Sequence, residues 1–331
     1  LVSNEAALNA ASGVYSQIKC GAGTIGEAYG VSKLASIEGN VTLDVMGGNI
    51  TTVFGGSKGV QDGTAANIDG NVTLNLLGGT INQAYGGTNN NGNITGLIQV
   101  NVLDTVHNCG LGINDVYGGG RLATYTPTFG TGERIAPEVN VIHVIVNNAV
   151  FGGGWGAPVN GASPKVTIGD NVSEHRAIVG SNLNGTTTPG YGIVFGGGDV
   201  ANVDGNTLVI YDDNNSNSQV NFIFGGGNQA GIGGNIVVNM NQGRVIDTIF
   251  GGCNVTGDVG GKIEVTVNGG TSGTVIGGGN LAAYSAPSAT PDYPYVHIVD
   301  GTVTGSVIGG GNKANVTGNP KVQITGGTVT S

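Results

Sequence analysis

The stretch that decides the fold is Ile223–Asn235, which reads IFGGGNQAGIGGN. Its first part, an apolar pair followed by glycines, recurs along the whole chain. The other copies of the pair are Ala28-Tyr29, Val53-Phe54, Ala84-Tyr85, Val116-Tyr117, Val150-Phe151, Val194-Phe195, Ile249-Phe250, Val275-Ile276 and Val307-Ile308. Repetition at a period of this length is typical of proteins built from stacked repeats.

A second recurring piece, Ala-x-Val/Ile-x-Gly-Asn, precedes a strict alternation of apolar and polar residues. After Asn40, for example, positions 41, 43 and 45 are apolar, whereas positions 42 and 44 are polar. This alternation predicts a strand with one buried face. A Gly-Gly pair, as at 47–48, often closes the strand. Each unit is therefore expected to hold three short strands separated by glycine or Gly-Asn corners.

The unit length favours one architecture over others. The glycine at 225 recurs at 251 and 277, so the shortest units are 26 residues long. A parallel two-layer sheet would need crossover helices, and no segment between the strands has helical periodicity. We therefore expect an all-β protein, a single three-sided right-handed parallel β-helix of about ten coils. Right-handedness is expected because left-handed forms run on short hexapeptide coils.

The two ends of the chain differ from its middle. Residues 1–24 are expected to be an N-terminal cap, because positions 5–11 are rich in helix-forming residues and solenoids need to cover the open end of the core. Residues 25–331 are expected to be the β-helix repeats. The sequence stops inside a repeat, so we expect the natural chain to continue or its last strand, Lys321–Thr325, to pair with another chain.

The position before the glycines is aromatic in the first eight copies, from Tyr29 to Phe250. These rings are expected to stack in one inner column that fills the tube. The glycines that follow suit a corner that needs positive φ or leaves no room for a Cβ atom. Corner asparagines such as Asn40 and Asn71 tolerate left-handed conformations and can bond locally to the backbone.

Composition narrows the possible functions. Glycine is 66 of 331 residues, yet the regular strand positions of Val, Ile and Leu argue against disorder. The net charge is −10, only 10% of residues are charged, and no basic cluster exists. Nucleic acid is therefore not an expected partner. No apolar run approaches the ~20 residues that a membrane span requires.

The three cysteines do not form a metal-binding pattern. Cys253 replaces the third glycine of its copy, and Cys20 and Cys109 lie far apart in sequence. We expect all three to be small apolar thiols. A disulfide between Cys20 and Cys109 is disfavoured, because their coils are not expected to be neighbours.

Insertions of different length distinguish individual units from one another. Two similar insertions follow the glycines, at 120–137 and 279–295, and a third covers 182–191. Loops on a rigid scaffold often carry function, so their aromatic residues are candidates for stacking on sugars or on a protein partner. The candidate binding residues are Tyr125, Trp155, Tyr284, Tyr293 and Tyr295. The alternative is that the loop tyrosines pack on their own scaffold.

Catalytic chemistry has one weak candidate. Glu264 and His297 occupy outward strand positions that we expect to be equivalent on adjacent coils. A Glu-His pair could transfer protons, but a glycosidase needs two carboxyl groups, and the sequence offers no second one to nominate.

A structural calcium ion is a further possibility. The segment from Asp199 to Asp204 faintly resembles the nonapeptide of calcium-binding β-rolls, and Asp212 and Asp213 lie in an oxygen-rich turn. The nine-residue period is missing, however, and other copies lack the acids. The expectation is therefore no cofactor, with calcium as the alternative.

The phrase at Ile223–Asn235, nearly repeated at Val307–Asn319, resembles the glycine-rich repeats of large secreted or surface-anchored bacterial proteins. It is also broadly similar to the β-helices of adhesins and autotransporter passengers. The resemblance implies an extracellular location at the bacterial surface. It implies a non-enzymatic stalk or adhesin whose partners are glycans or surface proteins of a host or bacterium. It identifies no ligand.

Two functions remain as alternatives. The first is the stalk or adhesin, with head-to-tail assembly into a filament if the chain ends pair with each other. The second is a carbohydrate-active β-helix enzyme, either a polysaccharide lyase or a glycoside hydrolase. An enzyme should show clustered acids in a groove, whereas an adhesin needs only exposed loops.

Overall fold

The computed structural model describes residues 13–105, 109–128, 133–180 and 192–330, and its regular structure consists of strands. The strands are β1 (Gly13–Ile18), β2 (Thr24–Tyr29), β3 (Ile37–Glu38), β4 (Asn40–Phe54), β5 (Ile68–Asp69), β6 (Val72–Tyr85), β7 (Ile98–Leu103), β8 (Leu111–Tyr117), β9 (Ile135–Phe151), β10 (Ser163–Ile168), β11 (Ala177–Val179), β12 (Ile193–Phe195), β13 (Thr207–Tyr211), β14 (Gln219–Phe224), β15 (Ile236–Met240), β16 (Arg244–Phe250), β17 (Ile263–Val267), β18 (Thr271–Ile276), β19 (Tyr284–Ser285), β20 (Tyr295–Ile298), β21 (Thr302–Val303), β22 (Val307–Ile308), β23 (Val316–Thr317), β24 (Lys321–Ile324) and β25 (Thr328–Val329).

The first strand of each unit pairs in parallel with the first strand of the next unit. This ladder runs in the order β1, β4, β6, β7, β9, β10, β13, β15, β17, β20 and β24. The register follows the sequence repeat, with Val41 opposite Val72 and Val72 opposite Ile98. The repeated alternation therefore lines up one unit over another.

A second ladder joins the segments that end in the apolar pair. It places Phe54 beside Tyr85, and Phe224 beside Phe250. A third, shorter set of parallel pairings joins β3 to β5 and β19 to β23, with single bridges such as Val203 to Ile232. The protein is thus all-β with parallel strands, as the sequence predicted. The segments β4, β6 and β9 contribute to both long ladders, so they are longer than the separate short strands expected.

The main core consists of the apolar positions of the alternation. Val41, Leu43 and Val45 are almost completely buried, while Thr42 and Asp44 between them are partly exposed. One continuous cluster of such residues runs from Ile18 to Val303. Burying a Val or Leu side chain stabilises a fold by roughly 1.5–3 kcal/mol, so the repetition of these positions supplies most of the stabilisation.

The glycines after each apolar pair are required by a close approach between units. A Cβ atom on Gly152 would lie 2.2 Å from the carbonyl oxygen of Gly196, a distance that real side chains do not tolerate. Positive φ is needed at a different place, the Gly-Gly corner, where Gly48 has φ of 96° and Gly79 has φ of 99°. Both reasons given for glycine from the sequence therefore apply, but at different corners.

The eight aromatic rings stack as predicted, but on the other side of the strand. Adjacent rings from Tyr29 to Phe250 have centroids 4.6–5.2 Å apart and nearly parallel planes. Val53 belongs to the main core, whereas its neighbour Phe54 belongs to a second buried cluster. Successive strand residues point to opposite faces. The expectation of an inner column was therefore wrong, although the rings are buried.

The corner asparagines connect neighbouring units. Oδ1 of Asn40 accepts a hydrogen bond from the backbone N–H of Asn71, at 2.9 Å, and Oδ1 of Asn235 accepts one from the N–H of Lys262, at 2.8 Å. In the described part of the chain, the non-glycine residues with positive φ are Asp62 and Asn171. The asparagines Asn40 and Asn235 therefore use neither a left-handed conformation nor a local bond, and they accept hydrogen bonds from the next unit instead.

Cys20 and Cys109 form a disulfide, which contradicts the sequence-based prediction; Cys253 is free and buried. The two cysteines lie in longer turns of two units that are separated by two further units. Those two intervening units have tight Gly-Gly corners, at 47–48 and 78–79, and the longer turns lie on either side of them. A Cβ atom on Gly47 would lie 2.6 Å from Cα of Cys20, and one on Gly78 would lie 2.5 Å from the carbonyl oxygen of Cys109. Because these positions have no side chains, the two turns can meet across intervening units.

The expected cap falls partly on residues outside the described ranges, since the helix-forming positions 5–11 precede residue 13. Its described part includes β1, which pairs in parallel with β4. Across the described ranges, no helix has the length and apolar character that would let it cross a bilayer.

Candidate functional site

The second insertion and three neighbouring strands enclose an open groove of about 470 Å³. Outward positions of β17, β20 and β24 supply one side, because the ladder places Glu264 beside Tyr295 and Tyr295 beside Lys321. The insertion supplies the other side through residues 289–293. We call the six functional side chains of this groove the insertion site: Lys262, Glu264, Asp292, Tyr293, Tyr295 and Lys321.

Both tyrosines of the insertion site are held by hydrogen bonds. The hydroxyl of Tyr293 donates to Oε1 of Glu264, at 3.2 Å, and the hydroxyl of Tyr295 donates to Oε1 of Gln323, at 2.8 Å. Both rings remain partly exposed. The site thus presents two oriented aromatic rings to the groove, which is the arrangement that stacking on a sugar ring or another flat apolar face requires.

Each of these rings has a lysine over it. Nζ of Lys262 lies 5.2 Å from the ring centroid of Tyr293, and Nζ of Lys321 lies 5.1 Å from that of Tyr295. Among the described residues, neither ammonium group forms an ion pair with a carboxylate. Asp292 accepts a hydrogen bond from Nδ2 of Asn319, at 3.2 Å. Both signs of charge are therefore available to a ligand.

The expected Glu264–His297 pair is not formed in the way the sequence suggested. Glu264 lies opposite Tyr295, while His297 lies opposite Thr266. The ring nitrogen Nε2 of His297 is 3.0 Å from Oγ1 of Thr325, the residue directly after β24. The prediction of equivalent positions was therefore wrong by two residues.

Asp292 is a carboxylate that sequence reasoning did not nominate, and it lines the same groove as Glu264. Its position in a loop gave no periodic signal. Lys262 and Lys321 were likewise missed, although both lie at the start of an alternating strand. Lys262 precedes the nominated Glu264 by two residues, and Lys321 lies opposite the nominated Tyr295. Counting the ladder register from the alternation would have found both lysines.

Tyr125 and Tyr284, the equivalent tyrosines of the two similar insertions, are only 2% exposed. Their hydroxyls donate to the carbonyl oxygens of Gly96 and Gly261, at 2.9 and 3.0 Å. Burial raises the pKa of Tyr284 to about 12. Neither ring offers a face that a ligand could reach, so these two nominations are replaced by the alternative in which loop tyrosines pack on their own scaffold.

Trp155 is partly exposed and packs against the aromatic column. The guanidinium carbon of Arg121 lies 5.6 Å from its ring centroid. These two residues occupy equivalent places in successive units, since the backbone N–H of Trp155 bonds to Gly120 and that of Arg121 bonds to Thr88. Trp155 does not line the groove of the insertion site and packs on the aromatic column instead.

The nominated calcium ligands are not gathered into one site. Asp199 accepts from Nδ2 of Asn228, at 2.7 Å, and the buried Asp213 accepts from the backbone N–H groups of Ala177 and Asn215. Asp212 accepts from Gln242, at 3.5 Å, and Asp204 lines a shallow groove of about 400 Å³. Within the described ranges, no group of three or more His, Cys, Asp or Glu side chains could hold a metal ion.

A second surface was not predicted from the sequence. The outer edges of the aromatic column lie between two rows of side chains that follow the stacking direction, and we call this strip, which opens into a cavity beside Phe224 and Phe250, the ring groove. The wall after the glycines carries Lys58, Asn89, Arg121, Trp155, Asp199, Asn228, Asn254, Asn280 and Asn312. The wall before the apolar pair carries Thr52, Gln83, Asp115, Ala149, Ile193, Phe222 and Thr248.

The charge of the side chains along the ring groove changes from one end to the other. Basic side chains occur near Tyr29 and Tyr85, where Lys58 forms an ion pair with Glu27, at 2.5 Å. The acid Asp115 lies in the middle, and burial raises its pKa, partly offset by hydrogen bonds from Asn148 and Gln83. Uncharged amides follow from Asn228 onward.

Comparison with known proteins finds no matching family model, no similar curated protein and no similar solved structure. No role can therefore be transferred from a relative, and the function has to be argued from the residues of the chain itself.

Proposed function

We propose that this protein is an extracellular, surface-displayed stalk or adhesin that binds glycans through the insertion site. We also propose that its parallel strands form a three-sided right-handed β-helix. The three sets of parallel pairings per unit support this architecture, since each ladder would form one side. A rigid rod of stacked units suits the display of a binding loop away from a surface.

The disulfide supports the extracellular location. Disulfides persist in oxidising environments such as the bacterial exterior and are rare in the cytosol. The resemblance of the repeats to those of bacterial surface proteins agrees with the same location.

One observation carries the proposed binding function, namely that the groove of the insertion site contains two partly exposed tyrosine rings beside carboxylates and ammonium groups. Glycan sites combine a flat aromatic surface for the apolar face of the sugar with polar groups for its hydroxyls. Glu264 and Asp292 can accept hydrogen bonds from hydroxyl groups, and Lys262 and Lys321 can donate to sugar oxygens or to acidic substituents.

A glycan array tests the proposal. The wild-type protein should bind a subset of glycans, and Tyr293→Ala and Tyr295→Ala should each lose most of that signal. Tyr15→Ala is a matched control, because Tyr15 is also a partly buried tyrosine whose hydroxyl donates to an acid, Asp44, on an outward strand position. Equal binding by all three variants, or an absence of glycan binding by the wild type, would reject the proposal.

The alternative is a carbohydrate-active enzyme, and the presence of Glu264 and Asp292 in one groove favours it more than the sequence did. Two carboxyl groups beside a sugar are what glycoside hydrolysis requires. A depolymerisation assay on plant and host polysaccharides separates the two functions. Under the favoured function no polysaccharide is cleaved. Cleavage that disappears in both Glu264→Gln and Asp292→Asn would establish the enzyme instead.

End-to-end assembly into a filament stays a prediction from the sequence. Light scattering and electron microscopy across a concentration series measure it directly. Filaments or a growing mass would support assembly, and a constant monomeric mass would reject it.

A further inference from the structure

The amide-lined half of the ring groove forms a separate cavity of about 270 Å³. Rings of the aromatic column, including Phe224 and Phe250, lie at its floor. Ile193 and Phe222, both partly exposed, lie on one wall with Thr248. The opposite wall consists of amides: Asn254, Asn280 and Asn312.

These amides form a continuous hydrogen-bonded ladder. Nδ2 of Asn254 donates to Oδ1 of Asn228, at 2.8 Å, Nδ2 of Asn280 to Oδ1 of Asn254, at 2.9 Å, and Nδ2 of Asn312 to Oδ1 of Asn280, at 2.8 Å. An asparagine amide has two N–H donors and two acceptor lone pairs. Each amide inside the ladder therefore keeps one donor and one acceptor that the ladder does not use.

The charge of the cavity narrows the ligand class. Asp247 is the charged residue of its lining, and its Oδ1 already accepts a hydrogen bond from the hydroxyl of Thr248, at 2.7 Å. The remaining lining is apolar or carries neutral amide and hydroxyl groups. An anionic ligand would lose its hydration here without a partner of opposite charge, whereas a neutral ligand with many hydroxyl groups would find hydrogen-bond partners in the amides.

The spacing of the ladder favours a sugar chain over a peptide. Neighbouring units stack at about 4.8 Å, so a polymer lying along the column meets one amide per strand spacing. An extended peptide advances by about 3.3 Å per residue and falls out of step with such a ladder. A pyranose ring in an extended β-linked polysaccharide advances by about one strand spacing and presents a hydroxyl donor and acceptor to each amide.

We propose that this half of the ring groove binds a neutral, extended, β-linked polysaccharide, with one sugar ring per unit. The free amide groups of Asn254, Asn280 and Asn312 bind the hydroxyls, and Phe222 and Ile193 contact the apolar faces of the rings. This site is distinct from the insertion site and does not depend on glycan binding there.

Calorimetric titration with neutral β-1,4-linked gluco- and manno-oligosaccharides tests the proposal. Affinity should rise from the disaccharide to the hexasaccharide, because longer chains meet more amides. Asn280→Ala should weaken hexasaccharide binding by roughly tenfold, since it removes the hydrogen bonds to one ring. Phe222→Ala should weaken it to a similar extent.

Asn101→Ala is the matched control for stability. Asn101 lies inside a second amide ladder, between Asn75 and Asn140, with bonds of 2.9 and 3.0 Å, on a strand set away from the ring groove. It should lower the melting temperature about as much as Asn280→Ala does but leave binding unchanged.

Three outcomes would overturn the proposal: no oligosaccharide binds, binding is equally weakened by Asn101→Ala, or only a peptide array shows binding that Asn280→Ala abolishes. Tyr293→Ala separates this proposal from the previous one. If it leaves hexasaccharide binding intact while array signals at the insertion site disappear, the two sites act independently.

Discussion

Cys20 and Cys109 are joined by a disulfide although 89 residues separate them in sequence, and their Cα atoms lie 5.9 Å apart. Closing so long a loop restricts the unfolded chain, and native disulfides of this kind stabilise proteins by roughly 2–5 kcal/mol. We therefore expect reductant to lower the melting temperature of the wild type. The double variant Cys20→Ala/Cys109→Ala should melt at that lower temperature and should not respond to reductant. A wild type that is insensitive to reductant would contradict the bond.

Cys253 should resist alkylation in the folded protein. Its thiol is buried, and burial raises its pKa to about 11. The thiolate is the reactive form, so the folded protein should show no reactive thiol near neutral pH. Denaturation without reductant should reveal one thiol, and denaturation with reductant should reveal three. Mass spectrometry after alkylation counts them, and a labelled Cys253 in folded protein would contradict the prediction.

Phe224→Ala should lower the free energy of unfolding by about 3–5 kcal/mol, because it opens a cavity in a buried stack. Its ring lies 5.2 Å from that of Phe195 and 4.6 Å from that of Phe250. Phe224→Tyr is the control, since tyrosine occupies the same place in other units and should cost much less. Chemical denaturation measures both variants. An unchanged stability in Phe224→Ala would mean that the column does not contribute to packing.

Asn235→Ala should cost roughly 0.5–1.5 kcal/mol, the usual net value of a hydrogen bond. The change removes the acceptor of the Lys262 backbone N–H. Asn235→Asp keeps an oxygen in the same place and should recover most of the loss. Comparing the unfolding free energies of the two variants tests whether corner asparagines act as acceptors. Equal losses in both would point instead to a backbone conformation that favours asparagine.

Asp115→Asn should stabilise the protein at neutral pH. Burial raises the folded-state pKa of Asp115 above its ordinary value of 3.8. A raised pKa means that the carboxyl group favours folding while it is protonated and that this contribution is lost as the pH rises through the folded-state pKa. The stability difference between variant and wild type should therefore grow with pH and vanish below about 3.8. Melting temperatures across pH measure it, with the exposed Asp69→Asn as control.

Most of the correct predictions about the fold came from the periodicity of the sequence. The alternation after Asn40 identified the buried strand positions. Successive residues of a strand point to opposite faces, so every second residue must be apolar when one face is buried. The same reasoning failed for Phe54. It belongs to a second cluster beyond the strand, and a buried outer column has the same apolar pattern as an inner one.

Site predictions depended on register and loop packing, which the sequence determines less directly. Tyr293 and Tyr295 lie in a groove as expected of insertion aromatics, whereas Tyr125 and Tyr284 are turned into the core. All four belong to the two similar insertions, but only Tyr125 and Tyr284 share a local sequence, Leu-Ala-x-Tyr. The hydroxyls of Tyr125 and Tyr284 donate to backbone carbonyl oxygens, whereas those of Tyr293 and Tyr295 donate to side chains, and the alternation of the sequence does not distinguish these partners.

The sequence by itself determined the repeat, the all-β class, the parallel stacking and the aromatic column, because each depends on residues that recur at a constant phase. Only the tertiary structure decided the Cys20–Cys109 disulfide, the register that places Glu264 beside Tyr295, and the two grooves. Each of these depends on distances between turns and loops of different units. Such distances are set by how far a turn extends over its neighbours and by where a glycine leaves room, and no local pattern in the chain encodes them.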